Sequence, residues 1–166
     1  MDEIAHPRTE ARRTESATPG PQSPAAARND TGPRWISALL WTLAAFDLGL
    51  ALTAFTAPAW WFDIMHGAPY VDPQGLLPRT GATWAMFALL QATAALRWRQ
   101  EPAWLFAIAA LRASDMATDW TYVGASSQLS SVGSVLLTGA SPANLALAVV
   151  LWACWKKRTH SVSAAR

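Results

Sequence analysis

Residues 104–122 read WLFAIAALRASDMATDWTY, an apolar stretch of helical length that carries three charged side chains. Arg112, Asp115 and Asp119 are followed by Tyr122, with spacings of three, four and three residues. These spacings place the four side chains along one face of an α-helix. The pattern predicts a helix in apolar surroundings that directs one polar stripe towards its neighbours.

The chain around this stretch is too apolar for a water-soluble domain. It has 166 residues, of which 52% are hydrophobic and 14% charged, whereas soluble domains usually carry about 25% charged residues. Residues 35–155 hold only ten of the 24 charged side chains, and the two ends of the chain hold the others. We therefore expect hydrocarbon around the central part of the chain.

Four apolar segments predict four membrane-spanning helices, at about 35–57, 80–98, 102–123 and 134–155. A segment of 23 residues such as 35–57 is roughly 34 Å long as a helix, and a hydrocarbon core is about 30 Å thick. In the fourth segment, either the helix starts near Ser134 and kinks at Pro142, or residues 134–141 line the interior in another form; we favour the kink. The fold class is an all-α integral membrane four-helix bundle with up-down-up-down topology.

The ends of the chain suggest the orientation of these helices. Residues 1–34 are rich in proline and poor in apolar side chains, so a disordered tail is expected. Residues 156–166 form a basic tail, and Arg97 and Arg99 lie between the second and third segments. The positive-inside rule then places both termini in the cytoplasm, and we expect a multi-pass protein of the bacterial inner (plasma) membrane.

Residues 58–79 form the long outer loop of this topology. Its first part, 59–66, is rich in aromatic and apolar residues, which predicts an interfacial helix that Gly67 could cap. The rest of the loop is expected to be irregular, with Arg79 paired to Asp72 or Asp119. Trp98 is expected at the inner interface, as part of an aromatic belt. The loop 124–133 is rich in serine and glycine, so we expect it to be flexible.

Five polar residues of the four segments lie at similar predicted depth. A charged side chain at the centre of a membrane helix costs roughly 2.5–3.5 kcal/mol on insertion scales, and such charges usually face the interior of the helix bundle and find partners there. The five residues therefore predict an intramembrane polar pocket, with a further group at its outer rim. The pocket residues are Asp47, Gln91, Arg112, Asp115 and Asn144, and the rim residues are Arg79, Asp119 and Tyr122.

A weak internal similarity relates the first and third segments. Each contains Ala-x-Asp followed by Leu or Met, at residues 45–48 and 113–116, and the second and fourth segments each carry one amide, Gln91 and Asn144. A parallel repeat would place these groups around an axis along the membrane normal. We hold this duplication as a hypothesis.

Several kinds of site have little support in the sequence. Cys154 is the only cysteine, so a disulfide within the chain and a cysteine-based metal site are excluded. No histidine lies in a predicted span, which disfavours a haem held by helix histidines. Asp63, His66 and Asp72 could coordinate a metal, but ordinary interfacial polarity explains them better. No metal, cofactor or nucleic-acid partner is predicted.

Three functions remain open. The favoured one is a small membrane protein that binds or carries a lipophilic, quinone-like molecule in the polar pocket. The second is a membrane enzyme, an isomerase or oxidoreductase of a lipid-soluble substrate, with a buried aspartate as acid–base. The third is a scaffold or accessory subunit. The expected partners are membrane lipid, a lipophilic ligand, and a second copy of the chain or another membrane protein.

Overall fold

The computed structural model describes residues 33–126 and 129–163, which form five α-helices and no strand. The all-α fold class is thereby confirmed. The predicted disorder of residues 1–34 falls almost wholly outside the described residues, as do residues 127–128 of the predicted flexible loop and 164–166 of the predicted tail. The helices are α1 Arg34–Thr56, α2 Pro58–His66, α3 Leu76–Arg97, α4 Ala103–Ala125 and α5 Ser131–Ser163.

The four long helices pack as two antiparallel pairs. Helix α1 packs mainly against α3, and α4 mainly against α5. In the first pair, the indole N–H of Trp98 donates to Ser37, and a Cβ placed on Gly81 would lie 3.0 Å from the Cβ of Ala54. In the second pair, the rings of Phe106 and Trp155 lie 4.9 Å apart. The absence of a side chain at Gly81 lets α1 and α3 approach closely.

One apolar cluster joins the two pairs. It contains residues from all four long helices: Ile36, Leu40, Ala94, Ala95, Trp98, Leu105, Ile108, Ala109 and Leu151. Trp98 is fully buried in this cluster, so its ring packs inside the protein, and its predicted depth at the inner interface stays a prediction. Its indole finds a hydrogen-bond acceptor in Ser37, and this partner allows the polar edge of the ring to be buried.

Proline and glycine set the boundaries of α2. Pro58 is its first residue, where a missing backbone N–H costs nothing because that N–H has no partner within the helix. Gly67 ends it with φ of 62°, a left-handed conformation that glycine adopts without strain, and its N–H donates to the carbonyl of Asp63. The predicted segment 59–66 is thus helical and capped by the expected glycine.

Helix α3 begins at Leu76, four residues before the predicted start at residue 80, so the expected irregular loop reaches only to Gly75. The Asp72 carboxylate accepts hydrogen bonds from the backbone N–H groups of Leu76 and Leu77, at 2.8 Å each. Pro78 follows in the first turn, where proline is tolerated. The side chain of Asp72 therefore starts the helix earlier than the apolar pattern indicated.

Helix α5 begins at Ser131, runs through Pro142 and continues past the basic residues 156–158. The helix starts three residues before Ser134, and residues 134–141 are helical, so the alternative in which they take another form is wrong. The kink at Pro142 and the end of the membrane span near residue 155 stay predictions. Its 33 residues make it roughly 50 Å long. Helix α4 likewise extends two residues past the predicted end at 123, and Pro102 precedes its first residue.

Two of the described helices are long and apolar enough to cross a membrane, α1 and the part of α5 from Ser131 to Ser161. Only 33% of the apolar window of α1 and 17% of that of α5 are buried inside the protein. Large apolar side chains such as Phe46 of α1 and Val135 of α5 are exposed on the outside of these helices.

Candidate functional site

The most deeply buried polar group is the carboxylate of Asp47 in α1, which is 1% exposed. Its Oδ2 accepts a hydrogen bond from Gln91 Nε2 of α3 and another from Arg112 Nη2 of α4, both at 2.5 Å. Gln91 and Arg112 are themselves buried. A buried carboxylate needs such partners, because transfer of an unpaired charge out of water is strongly unfavourable.

Arg112 extends the chain of contacts to the other helix pair. Its Nη1 donates to Asp115 Oδ2 at 3.2 Å, and Asn144 Nδ2 of α5 donates to the same oxygen at 3.1 Å. Five side chains from the four long helices therefore form one continuous set of hydrogen bonds, which we call the polar network: Asp47, Gln91, Arg112, Asp115 and Asn144. The structure thus brings together all the residues of the predicted pocket.

The two helix pairs contribute matching contacts to the polar network. In the first pair Asp47 accepts from the amide of Gln91, and in the second pair Asp115 accepts from the amide of Asn144. The hypothesis of a parallel repeat predicts this correspondence. Arg112 breaks the symmetry, since the one guanidinium binds the aspartates of both pairs.

The polar network is not satisfied at every atom. Gln91 Oε1 and Arg112 Nε are buried and have no hydrogen-bond partner among the described residues. Both bonds to Asp115 go to Oδ2, and the side chain of Asp115 is 20% exposed, against 2% for Asp47. Of the two carboxylates of the polar network, Asp115 is therefore the one that a molecule outside the network can contact.

The exposed side of Asp115 belongs to a cavity of about 360 Å³. Asp119 and Tyr122 line the same cavity, so three members of the predicted polar stripe face one space. Other parts of its wall come from α2, from the first half of α3 and from α5, with mainly apolar side chains: Trp61, Phe62, Met65, Leu76, Leu77, Trp84 and Leu137. An apolar pocket with a few polar groups is the usual form of a small-molecule site.

Aromatic rings form much of the cavity wall. The rings of Trp61 and Trp84 meet edge to face, with centroids 5.4 Å apart, and Phe62 stacks on His66 at 4.3 Å. The hydroxyl of Tyr122 and Nε2 of His66 are hydrogen-bonded at 2.8 Å, which connects α4 to α2 across the cavity.

Ser130 fixes α2 against the start of α5. Its hydroxyl donates to the carbonyl of Ile64 and its backbone N–H donates to the carbonyl of Met65, at 2.5 and 2.9 Å. The same hydroxyl accepts from the backbone N–H of Gly133, as an N-cap does. One serine therefore joins the last turn of α2 to the first turn of α5, and α2 is held as a wall of the cavity.

Asp72 lies at the start of α3, and its side chain also lines the cavity. The backbone N–H groups of Leu77 and Leu76 stabilise its charged form and lower the pKa of this carboxyl. The hydroxyl of Tyr70 donates to it as well. Because this carboxylate is already bound, it orders the start of the helix.

Arg79 does not lie where the sequence interpretation placed it. Among the described residues no ion pair joins it to Asp72 or Asp119, and it is exposed on α3 without lining the cavity. The early start of α3 explains the difference, because the carboxylate of Asp72 is engaged by the helix N-terminus. Of the predicted rim residues, only Asp119 and Tyr122 face the cavity.

The sequence interpretation missed the aromatic side chains of the cavity. Trp61 and Phe62 were assigned to an interfacial helix, which explained their apolar character without a site. A signal for Trp84 was present, because it lies seven residues before Gln91 and therefore shares its helix face. Asp63, His66 and Asp72 do not meet as metal ligands, and no group of three or more His, Cys, Asp or Glu in the described part of the chain could hold a metal ion.

Searches for similar proteins, among protein-family models, curated proteins and solved structures, found no match to this chain.

Proposed function

We propose that this chain is a four-span membrane protein that binds a lipophilic small molecule in the cavity beside Asp115. In the proposed topology α1, α3, α4 and α5 cross the bilayer, both termini lie in the cytoplasm, and the inner membrane of a bacterium is the proposed location. Membrane lipid and the ligand are the proposed partners.

The distribution of polar and apolar side chains supports a membrane setting. Charged and amide groups lie inside the protein, while large apolar side chains are exposed on each long helix, among them Phe46, Leu89, Phe106 and Val149. A core helix of a soluble protein would be mostly buried, whereas α1 and α5 are mostly exposed. This arrangement suits a protein whose outer surface contacts hydrocarbon.

Hydroxyl groups on the helix exteriors also suit apolar surroundings. Thr42, Thr93 and Thr121 are examples: each donates to the backbone carbonyl four residues earlier in its own helix. A threonine bonded in this way needs no water molecule as a partner.

The cavity is the observation that carries the binding function. Its volume of about 360 Å³ falls within the usual range for ligand pockets of roughly 300–1,000 Å³. Apolar and aromatic walls select a lipophilic ligand, and Asp115 offers a polar contact in a fixed orientation, since Arg112 and Asn144 hold its Oδ2.

Native mass spectrometry of the protein in lipid nanodiscs tests this proposal. We expect a bound small molecule, and we expect Thr80→Phe, which fills the cavity, to reduce its occupancy by roughly tenfold, the equivalent of about 1.4 kcal/mol. Thr83→Phe is the matched control, because Thr83 lies on the same helix, is also exposed and makes the same type of bond to its own helix, but does not line the cavity. A protein with no bound molecule, or equal occupancy in both variants, would overturn the proposal.

A membrane enzyme is the second candidate, and the accessibility of Asp115 favours it. A carboxylate held through one oxygen and exposed to a ligand through its other side can act as an acid–base. Incubation of the purified protein with its bound molecule would then yield a product of altered mass or structure, and Asp115→Asn would abolish that conversion even at concentrations of the molecule that saturate the variant. Absence of any conversion by the unaltered protein would exclude this candidate.

A further inference from the structure

The charged side chains that line the cavity are all acidic. Asp72, Asp115 and Asp119 contribute to its wall, and no lysine or arginine does so among the described residues. His66 is a further titratable side chain in the wall, and it is hydrogen-bonded to Tyr122 and stacked on Phe62. Asp72 is bound by the N-terminus of α3, so Asp115 and Asp119 are the carboxylates that a ligand would meet.

Positive charge near these two carboxylates is insufficient to balance them. Arg112 is shared between Asp47 and Asp115, and its contact with Asp47 is the shorter, at 2.5 against 3.2 Å. Asp119 has no ion pair within 4 Å in the described part of the chain. One guanidinium therefore serves three carboxylates, and a cation in the cavity would be attracted to the remaining negative charge.

The aromatic walls indicate what kind of cation fits. The rings of Trp61, Phe62, Trp84 and Tyr122 line the cavity, and an organic cation binds the electron-rich face of such rings. A hydrated metal ion would find mainly apolar surface, and the described acidic and histidine side chains do not form a metal-binding group. The cavity therefore suits a large, weakly hydrated cation better than a metal ion.

We infer that the cavity binds a monovalent lipophilic organic cation, a protonated or quaternary amine, with Asp115 and Asp119 as its counter-ions and the aromatic side chains around its apolar part. This inference rests on the proposed binding function and names its ligand class. The carboxylates favour a positively charged ligand. The aromatic rings favour a large, weakly hydrated ion over a small, strongly hydrated one, because they cannot replace the water around a small ion.

Three probes of matched shape test the inference: a phenylbutyl trimethylammonium ion, its neutral analogue with a tert-butyl group in place of trimethylammonium, and phenylbutyl sulfonate. Binding of each radiolabelled probe to protein in nanodiscs is measured against empty nanodiscs. We expect saturable binding of the cation, at least about tenfold tighter than that of the neutral analogue, and no saturable binding of the anion.

Variants then identify the counter-ions. Asp119→Asn and Asp115→Asn should each weaken binding of the cation by about tenfold and leave binding of the neutral analogue within about threefold, because only the charge is removed. Asp63→Asn is the matched control, since Asp63 is an exposed aspartate of α2 that does not line the cavity, and it should change neither affinity. Asp119 makes no ion pair with any described residue, so its variant tests the inference even if Asp115→Asn fails to fold.

The outcomes separate this inference from the proposed function. Equal affinity for the cation and the neutral analogue, or tighter binding of the anion, would overturn the cationic ligand while a lipophilic site remained. Tight cation binding that both asparagine variants retain would overturn the assignment of the counter-ions. If no probe binds, the inference fails. The proposed function is then decided separately, by whether native mass spectrometry finds a bound molecule.

Discussion

Arg112 is the residue through which the two helix pairs share charge. Its guanidinium binds Asp47 of the first pair and Asp115 of the second, and its side chain is 2% exposed. Arginine suits this position because its planar group has several donors in fixed directions. The stability of the protein should therefore depend strongly on this side chain.

Replacement of Arg112 by methionine should destabilise the protein by about 3–5 kcal/mol, because it leaves the buried carboxylate of Asp47 without its positive partner. Thermal unfolding of the purified protein in mild detergent would measure the change. Asp47→Asn combined with Arg112→Met should restore part of the loss, since the stranded charge is then removed as well.

Arg97→Met is the control for this measurement. Arg97 is 60% exposed and lies 4.0 Å from Glu101, and exposed pairs of this kind contribute roughly 0–1 kcal/mol. If Arg112→Met were no more destabilising than Arg97→Met, the polar network would not have the structural importance assigned to it.

At the level of residues, helix periodicity and predicted depth selected the same five side chains that hydrogen bonds join in the structure. Counting along each segment was enough to place Asp47, Gln91 and Arg112 at a common depth, because a long helix has a fixed rise per residue. The aromatic wall could not be predicted in the same way. Trp61 lies in α2, which Ser130, far along the chain, holds in place through a hydrogen bond to the carbonyl of Ile64. A local sequence pattern does not indicate such a long-range contact.

Among the elements, the contact between α2 and α5 determines whether the cavity is closed on one side. The N-terminal turn of α5 approaches the last turn of α2 at Gly133, where an added Cβ would overlap the backbone carbonyl oxygen of Met65. The neighbouring backbone cannot move aside as easily as a flexible side chain. Only glycine fits this position without displacement of α2.

Gly133→Ala should therefore separate α2 from α5 and destabilise the protein by about 1–3 kcal/mol, as overpacking does. Hydrogen exchange of the backbone amides in α2 should become faster, and ligand occupancy should fall with it.

Gly139→Ala is the matched control, because no atom of residues 33–126 or 129–163 outside its own helix neighbours lies within 4 Å of a Cβ at this position of the same helix. Alanine there should be neutral or stabilising by up to about 1 kcal/mol. Unchanged exchange of the α2 amides in the Gly133→Ala protein would show that α2 is not held in the way described.

The extent of the helices was harder to predict than their number and order. The apolar pattern indicated where each long helix runs, but it could not predict how far polar residues extend a helix at either end. Asp72 binds the first turn of α3 and moves its start towards the N-terminus, while Lys156 and Lys157 continue α5 as good helix formers after the apolar stretch ends.

The whole molecule combines a small set of buried polar side chains inside the helix bundle with large apolar side chains exposed on its outer faces. The polar network joins helices that are apolar on their outer faces, and it supplies Asp115, one of the three carboxylates that line the cavity. The low number of charged residues between residues 35 and 155 led to the prediction that hydrocarbon surrounds this part of the chain. Whether all four long helices cross a bilayer is the claim on which the depth of the cavity and the class of its ligand both depend.

Cysteine labelling at two exposed glutamines tests that claim most directly. Gln74 lies between α2 and α3, and Gln100 lies between α3 and α4. In a Cys154→Ser background, a membrane-impermeant maleimide should label Gln74→Cys in intact cells and Gln100→Cys only after the membrane is permeabilised. Equal labelling of both positions in intact cells, or recovery of the protein in the soluble fraction, would contradict the four-span topology.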